Sequence, residues 1–168
     1  MDLLREKLRD DGFSVEENLD MGLAMADIYA SKKIRLFFYP YDMHCYIFNC
    51  PDNAPVTLKQ VVSYHALACT YTDRFKSRRS RWLRIRVPIT MSFVIAKFGF
   101  DDMAVNEVYE NKPRYQMGNV NALILIDLSK MTFHSLDKPG VVGMLPLRHT
   151  NKIIRRIAGI LKIENKRA

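Results

Sequence analysis

Apolar residues recur along the chain with two periods, and the alternation between them predicts an order of elements. Leu3, Leu4 and Leu8 stand at helical spacing among charged neighbours, so residues 2–11 form a helix with Gly12 at its C-terminal cap. Phe13 to Asn18 alternates apolar and polar, as a half-buried strand does. Residues 23–30 make a second strand, although the run is also compatible with a helix. Ile34 to Tyr39 is a separate run of β-formers, Pro40-Tyr41-Asp42 reads as a turn, and His44 to Cys50 reads as a further strand. After the loop Pro51 to Pro55, Thr57 caps a helix carrying Leu58, Val61, Val62, His65, Ala66 and Cys69 on one face.

The second half begins with a strand within Leu83 to Phe98, where Val87, Ile89, Met91, Phe93 and Ile95 share one parity and Val94 and Ala96 occupy the other. Apolar residues of both parities suit a central strand. Asp101 to Asn111 reads as a short helix ended by Pro113, Asn121 to Leu128 as a buried strand, and Thr132 to Leu136 as a short strand. From Thr150, Ile153, Ile154, Ile157, Ile160 and Leu161 form the stripe of an amphipathic helix. The expected architecture is a single α/β domain over residues 1–168, a mixed sheet flanked by helices.

Composition narrows the class without naming an activity. At 168 residues the chain is about one domain long and needs no disulfide or metal to fold. Seven Gly and seven Pro exclude a collagen-like or linker sequence. The apolar runs fall short of the roughly 18 residues that span a bilayer, and Met1-Asp2-Leu3-Leu4-Arg5-Glu6 has no apolar signal core. These features predict a cytoplasmic protein with no membrane partner.

Charge changes the picture more. Residues 1–60 hold 7 Lys and Arg against 10 Asp and Glu, whereas residues 61–168 hold 19 against 8. Arg74, Lys76, Arg78, Arg79, Arg81, Arg84 and Arg86 fall in thirteen consecutive residues with no acid among them. Arg148, Lys152, Arg155, Arg156, Lys162, Lys166 and Arg167 form a second group, opposed by Glu164. Arginine presents a planar donor fork suited to phosphate, and so uneven a balance points to a polyanion. Tyr71, Phe75 and Trp82 lie among the arginines, an arrangement that suits stacking on unpaired bases. The plain alternative is a solvated basic face.

The three cysteines form no Cys-x-x-Cys pair and read as reduced thiols. Cys45, Cys50, His65 and Cys69 have roughly the spacing of a small zinc module. Five residues along a strand, however, separate Cys45 from Cys50 by roughly 17 Å and point them to opposite faces. Buried structural thiols are expected, with no metal.

The opening order of helix, Gly12-Phe13-Ser14-Val15-Glu16-Glu17-Asn18, a strand bearing Ala26-Asp27-Ile28, a β-rich segment and a helix resembles the restriction-endonuclease-like PD-(D/E)xK superfamily. The resemblance covers roughly residues 1–75. It implies a nuclease-like fold in which Asp27 matches the metal-binding Asp of the second strand and Glu16 or Glu17 an earlier acidic residue. The third strand should then supply Glu-x-Lys, but Ile34-Arg35-Leu36-Phe37-Phe38-Tyr39 holds no carboxylate. Asp42 follows in the expected turn without an Asp-x-Lys, and Glu110-Asn111-Lys112 satisfies Glu-x-Lys in a helical stretch. The standard magnesium-binding set of carboxylates is therefore incomplete.

No glycine-rich phosphate loop is present, and His44, His65, His134 and His149 stand in no motif that pairs them with a nucleophile. The expected function is a non-catalytic nucleic-acid-associated module on a degenerate nuclease-like fold. It would bind DNA or RNA through Arg74, Lys76, Arg78, Arg79, Arg81, Trp82, Arg84, Arg155 and Arg156, without a cofactor. One alternative is a protein-interaction or assembly subunit with an acidic partner. The other is a divergent metal-dependent nuclease using magnesium on Asp27 with Glu17, Asp42 or Asp101.

Overall fold

The computed structural model describes residues 1–36, 39–51, 53–75, 87–110, 115–116, 119–135 and 144–165. Helix α1 (Asp2–Asp10) turns Leu4 and Leu8 into the core. It ends where Gly12 takes φ +77°, and the N–H groups of Gly12 and Phe13 donate to the Arg9 and Leu8 carbonyls at 2.8 and 3.0 Å. Glycine adopts that left-handed conformation without steric cost, so the helix stops where the sequence predicts.

Strands β1 (Ser14–Asp20), β2 (Met25–Leu36) and β3 (Tyr39–Cys50) follow as an antiparallel meander. Here the structure corrects the expected boundaries. Ile34 to Leu36 extends β2 instead of starting a third strand, and Pro40-Tyr41-Asp42 lies within β3 instead of turning the chain. The chain reverses between Leu36 and Tyr39, which are paired. Proline marks a turn only where its missing N–H has no place in a ladder, and the start of a strand tolerates it.

Thr57 caps helix α2 (Leu58–Asp73) in a capping box with Gln60, and the helix carries the chain across to β4 (Val87–Ala96), parallel to β3. Helix α3 (Asp102–Glu110) leads to β5 (Tyr115–Gln116) and β6 (Asn119–Asp127), and β6 is parallel to β4. Then come β7 (Thr132–His134), helix α4 (Met144–Ile160) and β8 (Glu164–Asn165). Helix α4 starts six residues before the expected Thr150, with Pro146 in its first turn, where proline costs no hydrogen bond. Among the described residues the strands form one mixed sheet in the order β1-β2-β3-β4-β6-β7-β8, with β5 beside β6, so the α/β architecture is as expected.

Each face of the sheet is covered. On one, Leu4 and Leu8 of α1 and Ile154, Ile157 and Ala158 of α4 pack on Met43, Ile47, Ile89, Phe93 and Ile124. On the other, Val61 and Ala68 of α2 and Ala104 and Val108 of α3 pack on Tyr46, Phe48, Val94 and Leu125. Strand β4 feeds both layers, which is why both its parities are apolar. Among the described residues no helix is long and apolar enough to cross a membrane.

Candidate nucleic-acid interface

The pairing of β1 with β2 stops at Ser14 and Ser31, and the β2–β3 hairpin continues past it to Leu36 and Tyr39. Lys32, Lys33 and Arg35 lie on this extension. Strand alternation divides them between the faces. Lys32 joins the α1 face, where its ammonium donates to the Asp11 carbonyl and sits 5.5 Å from the centre of the Phe13 ring. Lys33 and Arg35 are exposed on the α2 face, with Asp42 opposite Lys33.

The C-terminal end of α2 reaches the same region through an aromatic cluster. Phe75 stacks on His44 with ring centres 5.0 Å apart and 20° between planes, and lies 6.3 Å from Tyr29 at 9°. The Tyr29 hydroxyl and His44 Nδ1 share a hydrogen bond of 2.8 Å. Burial lowers the His44 pKa below the usual histidine value, against an opposing pull from Asp42, and burial raises that of Tyr29 to about 12. Both rings are thus neutral at physiological pH. Tyr46 bonds Thr72 at 2.9 Å, and exposed Arg74 lies over the Tyr71 ring at 4.9 Å. These contacts fix the end of the helix to the sheet.

This juxtaposition locates both ends of the arginine-rich segment. Phe75 lies against His44, and Val87 at the other end pairs with Tyr41, three residues along β3 from His44, or about 10 Å. Lys76, Arg78, Arg79, Arg81, Trp82, Arg84 and Arg86 themselves lie outside the described residues. Of the C-terminal candidates, Arg155 is exposed on α4, whereas Arg156 is committed to an ion pair, its Nε 2.6 Å from Asp11 Oδ2. Both belong to the opposite layer from Arg74.

The carboxylates proposed for metal are not gathered. Asp27 accepts a hydrogen bond from the Asn49 N–H at 2.8 Å, extending the β2–β3 ladder, whose last regular pair at this end is Ile28 with Ile47. Glu17 pairs across from Ile28 and is held by Arg5 and by Arg9, the latter at 3.5 Å. Asp42 is seven residues from Asn49 along β3, roughly 23 Å. Asp101 caps α3 through the Ala104 N–H at 2.6 Å and also accepts from the Leu58 N–H at 3.1 Å. Among the described residues no group of three or more His, Cys, Asp or Glu could hold a metal. The zinc arrangement fails on geometry too, since Cys45 lies in the α1/α4 layer and Cys50 in the α2/α3 layer.

Comparison with protein-family models, with curated proteins and with solved structures found no match for the chain.

Two members of the site escape the sequence. Lys33 and Arg35 become neighbours of the arginine-rich segment only once β2 runs through to Leu36. The stack of Phe75 on His44 joins residues 31 positions apart and has no periodic signature. The lone signal was an aromatic residue directly after Arg74.

Proposed function

We propose that the protein is a non-catalytic nucleic-acid-associated module on a nuclease-like fold, binding DNA or RNA phosphate with the basic end of its sheet. The observation that carries this reading is the convergence of Lys33, Arg35 and Arg74 with both ends of the segment bearing the densest run of arginine. Clustered guanidinium and ammonium groups suit a phosphate backbone. The nuclease-like part draws support from the element order, a helix, three antiparallel strands, a helix and a parallel strand, with Asp27 on the second strand. The non-catalytic part draws support from the distance of Asp42 from Asp27 and from the engagement of Asp27 with the Asn49 N–H and of Glu17 with Arg5 and Arg9. Asp27 also lies about eight residues along the sheet from the basic end, roughly 26 Å.

A second reading, an assembly subunit, is favoured by a cleft of about 710 Å³ between the β1–β2 turn and α2, lined in part by Leu23, Tyr64 and Leu67. Leu23 is almost wholly exposed. Fluorescence anisotropy with labelled single-stranded and duplex oligonucleotides separates the two. Binding at low salt that weakens steeply as salt rises supports the first. No binding at low salt, with capture of one acidic protein instead, supports the second.

A further inference from the structure

Resting on the nucleic-acid reading, we infer that the protein takes unpaired strands in preference to duplex, with one base stacked on the outer face of Phe75. Phe75 is 50% exposed although its ring is stacked on His44 and nearly parallel to Tyr29. An aromatic ring held flat by two buried rings, with half its surface in water, is a platform already ordered before a ligand arrives. Binding to such a platform loses little side-chain entropy.

Charge is arranged to suit the same ligand. Arg74 is adjacent and exposed, and Lys33 and Arg35 continue along the α2 face of β2 from Ser31, which pairs with His44. Alternate residues of a strand are about 6.6 Å apart, so these cations form a line leading away from the ring. A ring with a line of cations beside it matches a base with its trailing phosphates. In a paired duplex the base faces are stacked on one another and closed to a protein ring. Duplex therefore engages the cations alone.

The test compares a labelled oligothymidine of twenty nucleotides with a duplex of equal length, using the full chain. Phe75→Leu keeps apolar bulk over His44 but removes the aromatic face, and Phe75→Trp keeps an aromatic face. The leucine variant should lose roughly 5- to 100-fold in single-strand affinity with duplex affinity unchanged, while the tryptophan variant retains single-strand binding. Thermal melting of both variants shows whether the stack on His44 has been preserved. A tryptophan variant that melts like the native chain but loses single-strand binding overturns the inference. So does equal affinity of the native chain for the two ligands, and in that case salt-sensitive binding to both leaves the nucleic-acid reading standing. Failure to bind either oligonucleotide at low salt overturns that reading as well.

Discussion

His65 Nδ1 and the Ser92 hydroxyl lie 2.9 Å apart beneath the middle of α2, so a histidine bridges helix and sheet where an apolar residue would ordinarily pack. Its Nε2 is 3.8 Å from Cys69 Sγ. Burial lowers the His65 pKa from 6.5 to about 4. Between those values the unfolded chain binds a proton that the folded chain does not, so stability is greatest above pH 6.5 and falls as the pH falls toward 4. This site should remove about 2 kcal/mol of stability between pH 7 and pH 5, and His44 acts in the same direction. Urea unfolding at the two pH values measures the loss. In His65→Gln the loss should shrink, and an unchanged pH dependence would exclude His65 as its source.

Asp127, at the end of β6, is 1% exposed and is consumed by the turn that follows it. Its Oδ1 accepts from the Ser129 N–H at 2.9 Å, the Ser129 hydroxyl at 2.6 Å and the Lys130 N–H at 3.1 Å. Asp127→Ala strands these donors and should cost roughly 1–3 kcal/mol in urea unfolding. Gly99 abuts the same carboxylate. It has φ +82°, and a Cβ there would lie 3.0 Å from Asp127 Oδ2. Gly99→Ala should therefore destabilise by a comparable amount, and an alanine variant of native stability would show that the turn relaxes freely.

Periodicity exposed what depends on one element at a time. The α1 stop at Gly12 and the two-sided burial of β4 were legible because each follows from local spacing. The expected α2 stripe was only partly right: Val61 is buried, but Val62 and Ala66 are exposed and Ala68 and Thr72 are buried instead. The β2–β3 boundary was not, because Pro40 in an extended strand and Pro40 in a turn share one local signature, and only pairing with Arg35 separates them. The two-residue strands β5 and β8 exist through tertiary pairing and carry too few residues for any period. The basic run in sequence was plain, but its neighbours Lys33 and Arg35 required the register of the sheet.

Incubation with single- and double-stranded DNA and RNA in magnesium or manganese should yield no cleavage. Asp27 is engaged with the Asn49 N–H, Glu17 is held by Arg5 and Arg9, and Asp42 lies far along β3. Among the described residues no group of three or more His, Cys, Asp or Glu could supply the ligands that such a cation takes. Metal-dependent cleavage that disappears in Asp27→Ala would reverse this expectation and revive the divergent nuclease.

The dependence of binding on salt addresses the arginine-rich segment directly. If Arg78, Arg79 and Arg81 contact phosphate, each contact releases condensed counterions, and log K falls against log salt by about 0.9 per phosphate on duplex or 0.7 on single strands. Replacing all three by Ala should flatten the slope by roughly two to three units on duplex and weaken every sequence alike. Phe75→Leu should instead lower single-strand affinity without altering the slope, because a stacked base displaces no counterion. The two variants thus separate charge from stacking in one titration series. A triple variant with the native slope would mean that these arginines stand clear of the phosphates, and contact would then have to come from Lys33, Arg35 and Arg74.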